Sequence, residues 1–335
     1  MEIIFGNETH TTIHIKNKEI ENKIFNYINK LEKSTNNEYS IEFFENENIN
    51  TDIIKCYNTK LITFNCDIIK PLNLTNFINL KKIKYLRAID LIKLPDNLEE
   101  IEFGNGFNSL IDNLPPNIKK IIFNSESEFN QPIKNLPIGL EELWLGKNFL
   151  QSLDFLPESL TTLKFYRLND IKLDNLPIGI EEMSFCELKL LNITKLPSNL
   201  KTLKIEKYFT SKLDNNIIFG QKLHKLFVPK YAIIEYFIDL KLETNIEELY
   251  FTKYFESHEL SLPSTCCNTL RYELCKIIQN KNIFKNLKKI CYYYSNIFHN
   301  KSLFKKCLSS DKYFNDKFNV EFNSLNDNYF IIELL

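Results

Sequence analysis

The chain is 335 residues long, and its 44% hydrophobic and 13% aromatic content is enough for a substantial core. Its 42 basic and 43 acidic residues leave a formal net charge of -1, so no overall field draws it toward nucleic acid or an anionic membrane. No stretch approaches the roughly 18 to 20 apolar residues that span a bilayer, and MEIIFGNETH lacks the charged start and apolar run of a secretory signal; a cytoplasmic location is expected.

In chain order, TTIHIK predicts a strand. NKEIENKIFNYINKLEK carries Ile20, Ile24, Tyr27, Ile28 and Leu31 on one helical face, and YSIEFF predicts a second strand. Residues 1–50 are therefore expected to form an N-terminal cap or, alternatively, a docking segment for a partner. From about residue 74 a period takes over. Leu-Pro pairs fall at Leu94-Pro95, Leu114-Pro115, Leu136-Pro137, Leu156-Pro157, Leu176-Pro177 and Leu196-Pro197, with steps of 20, 22, 20, 20 and 20 residues. The same frame continues without proline in GQKLHKLFV and ETNIEELYF, returns at Leu262-Pro263 before LRY, and is legible in NLKKICY and, upstream, in INLKKIKY.

Within a unit the apolar spacing fits neither one helix nor one long strand. EEIEF alternates as a short strand with Ile101 and Phe103 inward, and Gly104, Gly106 and the asparagines around them mark a bend. Seven of the eleven prolines follow a leucine at the corner before this strand, where a fixed φ and a missing N–H are tolerated. A unit of this size cannot bury enough apolar surface alone, so the units must stack and join their strands in one parallel sheet. The expected architecture is a leucine-rich-repeat-like solenoid: a curved parallel β-sheet of about ten short strands over residues 51–292, with coil or 3-10 turns on the convex side. Residues 293–335, with a predicted helix around 301–308 and strands near Val320 and Phe330–Leu335, form a C-terminal cap. Both caps are expected to be mixed α/β.

FNQPIKNLP at 129–137, with FGNGFN at 103–108, resembles the FNIP repeat, a leucine-rich-repeat variant with the pattern FNxPI, LP, then LxxLxFG. Such proteins occur in social amoebae and in giant viruses of amoebae, so the resemblance implies an amoebal origin, or a viral one with the host cytoplasm as location. Viral members often carry an N-terminal F-box. The resemblance thereby implies an alternative role as substrate adaptor of a cullin-type ubiquitin ligase, although residues 1–50 show no F-box pattern.

The positions between the inward residues form ladders on the concave side. The paired positions read Lys81-Lys82, Glu99-Glu100, Lys119-Lys120, Glu141-Glu142, Thr161-Thr162, Glu181-Glu182, Lys201-Thr202, His224-Lys225, Glu247-Glu248, Asn268-Thr269 and Lys288-Lys289. Glu pairs never neighbour Glu pairs, so cross-strand attraction is expected to fix register. The middle position reads Lys84, Glu102, Ile122, Trp144, Lys164, Ser184, Lys204, Phe227, Tyr250, Arg271 and Cys291. Aromatic residues and arginine anchor protein interfaces. Trp144, Phe227 and Tyr250, with Lys164, Lys204 and Arg271 at the edges, are the candidate site for a protein partner.

Catalysis has little support in the sequence. The five histidines are scattered, no GxGxxG, GxxxxGK[ST], HExxH or GxSxG occurs, and the eight cysteines form no CxxC pair. No cofactor, metal or nucleic acid is expected, an enzyme site in a terminal cap is the least favoured reading, and a non-enzymatic protein-protein interaction scaffold is the favoured one.

Overall fold

The computed structural model describes residues 2–5, 10–15, 38–44, 59–65, 71–86, 92–168, 173, 175–188, 196–209, 220–228, 245–251, 277, 283–293, 318–321 and 329–334. They fall in two compact units, Met1–Arg167 with Asn175–Pro177, and Leu168–Asp174 with Ile178–Leu335.

The first unit contains β1 (Glu2–Phe5), β2 (His10–Ile15), β3 (Glu38–Phe43), β4 (Thr59–Phe64), β5 (Leu72–Asn73), β6 (Lys82–Leu86), β7 (Ile92–Lys93), β8 (Glu100–Phe103), β9 (Lys120–Phe123), β10 (Glu142–Leu145) and β11 (Thr162–Leu168). β1 is antiparallel to β2. From there every pairing is parallel, in the order β2, β3, β4, β6, β8, β9, β10, β11, while β5 and β7 form a small parallel pair of their own. The second unit contains β12 (Glu182–Leu188), β13 (Thr202–Phe209), β14 (Lys225–Val228), β15 (Glu248–Phe251), β16 (Lys289–Tyr293), β17 (Phe318–Glu321) and β18 (Tyr329–Leu334). β12 to β16 pair in parallel and in sequence, then β16, β18 and β17 pair antiparallel. Successive parallel strands with one strand per coil define a β-solenoid in each unit. The returns between them are coil and turn, and among the described residues only Ile277 is helical.

Alternation explains the rungs. In EIEF and ELWL the second and fourth residues are buried and the first and third half-buried. Parallel register places Ile101, Ile121, Leu143 and Leu163 in one inward column, and all four are fully buried. The corner before each strand is a turn in which the proline carbonyl accepts from the N–H three residues on: Leu98 to Pro95 at 3.2 Å, Ile118 to Pro115 at 3.3 Å, Leu140 to Pro137 at 3.0 Å, Leu160 to Pro157 at 3.0 Å and Leu200 to Pro197 at 3.1 Å. Phe77, Gly220 and Phe284 accept the same bond where proline is absent. The turn therefore does not require proline, whose part is to restrict the unfolded chain.

The FNxPI segment is a second column. Phe107, Phe129 and Phe149 are buried and spaced 6.0 Å ring to ring along consecutive coils. The asparagine beside each phenylalanine binds the next coil: Asn108 Oδ1 accepts from Asn130 N at 2.9 Å, and Asn130 Oδ1 accepts from Leu150 N at 2.9 Å. Phe123 stacks on Phe129 at 3.9 Å, linking this column to the strand column.

Two findings differ from the sequence expectation or extend it. The parallel rungs begin upstream of the Leu-Pro frame: Ile41, Phe43, Ile62 and Phe64 are fully buried, and Phe43 stacks on Phe64 at 5.5 Å. These coils carry the inward residues but not the proline corner, so the period hides them. The expected rung at Asn268-Thr269 does not intervene between its neighbours, because β15 pairs directly with β16, Tyr250 opposite Cys291. A Leu-Pro pair in the sequence does not by itself supply a strand, and the inward residue of KKIC, Ile290, pairs directly with that of EELY, Leu249. The expected helices near 17–33 and 301–308 lie outside the described residues.

Candidate functional site

Because the inward column of each rung is fixed by burial, the residue between two inward side chains must point to the open side of the sheet. Trp144 lies between Leu143 and Leu145, both fully buried, and is itself half-buried. Its register partners are Ile122 and Lys164. The indole is held by its neighbours in the sheet. Lys120 Nζ and Lys164 Nζ each sit 4.7 Å from the ring centroid, and Trp144 Nε1 donates to Glu142 Oε1 at 2.5 Å. Tyr166, two residues beyond Lys164, meets Trp144 edge-on at 6.5 Å and lies 5.2 Å from the Lys164 ammonium.

The second unit has its own cluster. Lys204 faces Phe227 across β13 and β14, and Phe227 faces Tyr250 across β14 and β15. The Phe227 and Tyr250 rings stack at 4.1 Å, and the Lys204 ammonium lies 5.4 Å from the Phe227 ring while pairing with Glu182 at 2.5 Å. Tyr250 Oη donates to Glu248 Oε2 at 2.7 Å. Burial, and then this bond to a carboxylate, push the Tyr250 phenol well above its ordinary value. Burial alone would raise Glu248, but the donors Tyr250 and Lys225 outweigh it and the carboxyl sits below its ordinary range. Burial pushes the Cys291 thiol up to about 11; Cys186 and Cys291 are both buried thiols outside any disulfide.

The paired positions form the expected ion pairs. In the first unit Lys81 meets Glu99 and Lys82 meets Glu100, each at 2.5 Å, Lys120 meets Glu142 at 2.8 Å, and Lys119 pairs with Glu141. In the second, Lys201 pairs with Glu181 at 2.6 Å, Lys225 with Glu248 at 3.3 Å and Lys288 with Glu247 at 3.0 Å. The hydrogen bond to Glu141 holds Lys119 above its ordinary value. Such exposed pairs add little stability each, yet a shift by one coil would set like charges together.

Of the candidate residues, Trp144 and Lys164 meet in the first unit and Lys204, Phe227 and Tyr250 in the second, while Arg271 lies outside the described residues. Tyr166 was not among the candidates. Its signal is the continued alternation of TLKFYRL, which makes β11 seven residues long. Lys120 and Glu142 stand at paired positions whose charges set register, and they also clamp the indole. Ser184 and Cys186 both reach Glu206, at 3.4 and 3.1 Å, a contact that pair spacing does not reveal. Among the described residues no group of three His, Cys, Asp or Glu side chains could hold a metal ion, and no helix is long and apolar enough to cross a membrane.

Stacked coils, in-register parallel rungs and inter-coil asparagine bonds define the class as a repeat-built parallel β-solenoid. The FNIP Repeat family matches residues 85–126 and 129–167, the coils in which the Phe107–Phe129–Phe149 column and the Asn108 and Asn130 bonds lie. The chain is an FNIP repeat-containing protein. No curated protein matches it.

Proposed function

We propose that the chain is a non-enzymatic scaffold that binds a partner protein on the open side of its rungs, with Trp144 as the principal anchor. The observation that carries this reading is the Trp144 cluster: a large aromatic ring on the solvent side of a rigid rung, fixed by two ammonium groups and one carboxylate. A side chain already held in one rotamer loses little entropy on binding, which favours it as an anchor. The stacked Phe227 and Tyr250, flanked by Lys204, support the same role for the second unit. The proposal includes a leucine-rich-repeat-like curvature with these rings on its concave side, and terminal caps at both ends.

The test compares tagged wild-type chain with Trp144→Ala and Tyr250→Ala in quantitative pull-downs, with Tm measured for each. The proposal requires that one or more proteins captured by the wild type be lost from a variant whose Tm moves by only a few degrees. Equal capture by all three chains would refute it.

A further inference from the structure

The third residues of successive turns form a column in each unit, and four of them bind back to the preceding coil. Asn97 Nδ2 donates to Ile78 O and, at 3.4 Å, to Leu80 O. Asn117 Nδ2 donates to Asp96 O at 3.0 Å, and Ser159 Oγ reaches Ile138 O and Leu140 O, both at 2.6 Å. In the second unit Asn245 Nδ2 donates to Gln221 O at 3.0 Å. The carbonyl served is that of the second residue of the preceding turn in all four cases, joined for Asn97 and Ser159 by that of the fourth. Between Asn117 and Ser159 this column is broken by Gly139. The corresponding carbonyls, Pro116 O and Ile118 O, have no side chain at residue 139 to meet them. A Cβ placed on Gly139 would meet nothing within 4 Å, and its φ is not positive, so the backbone there does not demand glycine.

The break opens into a groove of about 530 Å³ lined by Asn117, Lys119, Gly139, Glu141 and Ser159 among others. Its four charged walls are matched in two ion pairs, Lys81 with Glu99 and Lys119 with Glu141. With those charges neutralised, and with Pro116 O and Ile118 O at the turn positions whose counterparts Asn97 and Ser159 bind in other coils, the notch suits a neutral ligand carrying N–H donors. A primary amide is that group, and it is the group that Asn97 and Asn117 already place in the neighbouring coils.

We propose that the Gly139 notch is a binding subsite for a primary amide side chain, asparagine or glutamine, presented by an extended polypeptide. The amide NH₂ donates to Pro116 O and Ile118 O as Asn97 does to Ile78 O and Leu80 O, completing the column from outside. The subsite is separate from the Trp144 cluster and stands or falls apart from it.

The experiment titrates the ¹⁵N-labelled full chain with acetyl-Gly-Asn-Gly-N-methylamide, whose only primary amide is the asparagine side chain, and in parallel with acetyl-Gly-Ala-Gly-N-methylamide and maltotriose. Saturable shifts at the backbone amides of Asn117, Lys119 and Gly139, at least tenfold tighter for the asparagine peptide, are expected. Gly139→Asn, which fills the notch in cis, should abolish them and raise Tm by about 2 °C by adding a hydrogen bond. Gly106→Asn, at a second glycine with open space around its Cβ, and Trp144→Ala should both leave the shifts in place. No saturable shift, equal shifts with the alanine peptide, persistence in Gly139→Asn, or an unchanged or lowered Tm of that variant would each overturn the assignment. Shifts from maltotriose alone would make the groove a carbohydrate site and overturn it equally.

Discussion

Phe129 and Trp144 stand fifteen positions apart and illustrate the two fates of an aromatic residue in these coils. Phe129 is 1% exposed, packed on Phe107, Phe123 and Phe149, so Phe129→Ala should cost about 3 to 5 kcal/mol in urea unfolding. Trp144→Ala removes two cation contacts from an open face and should cost about 1 to 2 kcal/mol. If the two costs were equal, Trp144 would belong to the core. Glu248 gives a pH test. Its folded pKa is lowered, so its contribution is present above the unfolded value of an ordinary glutamate and is lost as pH falls through the folded one. Glu248→Gln should therefore lose less stability than the wild type on acidification through that range, and identical acid limbs in urea titrations at stepped pH would contradict the Tyr250 and Lys225 bonds.

The coil is the element that the sequence displays most openly, because its corner and its rung are both written in residue types with strong local preferences. Leu-Pro marks the turn, and alternation marks the inward pair. Gly146 marks a point of contact: a Cβ there would lie 2.7 Å from Asn124 O and 2.8 Å from Ser127 Cβ. Gly146→Ala should consequently destabilise by about 1 to 3 kcal/mol, whereas Gly106→Ala, with open space around its Cβ, should not; thermal unfolding of both variants separates the cases. Asn130→Ala, which strips the acceptor from Leu150 N and Gln151 Nε2, should cost about 1 kcal/mol. What stayed hidden in the sequence has identifiable causes. The rungs β3 and β4 follow no Leu-Pro pair in the sequence, and the Leu262-Pro263 pair does not bring a rung between Tyr250 and Cys291. Tyr166 sits on a seven-residue strand, longer than the four-residue β8, β9 and β10 before it, and the inter-coil asparagine bonds join residues about 20 positions apart, which no local pattern encodes.

At the scale of the molecule, each unit is a stack in which a coil touches chiefly the coil before and the coil after, so stability is close to a nearest-neighbour sum. Damage to one coil should then spread only a short way. In Phe129→Ala, hydrogen exchange should accelerate most in β9 and β10 and much less in β3 and β4 of the same unit; uniform acceleration would indicate a single all-or-none core instead. The functional reading depends on a property of the rungs, that Trp144, Phe227 and Tyr250 remain half-buried in a middle column where Ile122, Ser184 and Cys291 are buried. Trp144 is the only tryptophan in the chain, so its fluorescence reports on that column alone. The most direct measurement is quenching of the folded protein by iodide and by caesium. Lys120 and Lys164 flank the indole, and positive groups concentrate anions locally. Appreciable quenching, stronger by iodide than by caesium, is the predicted result. Blue-shifted emission that neither ion quenches would place Trp144 in the core and contradict the account.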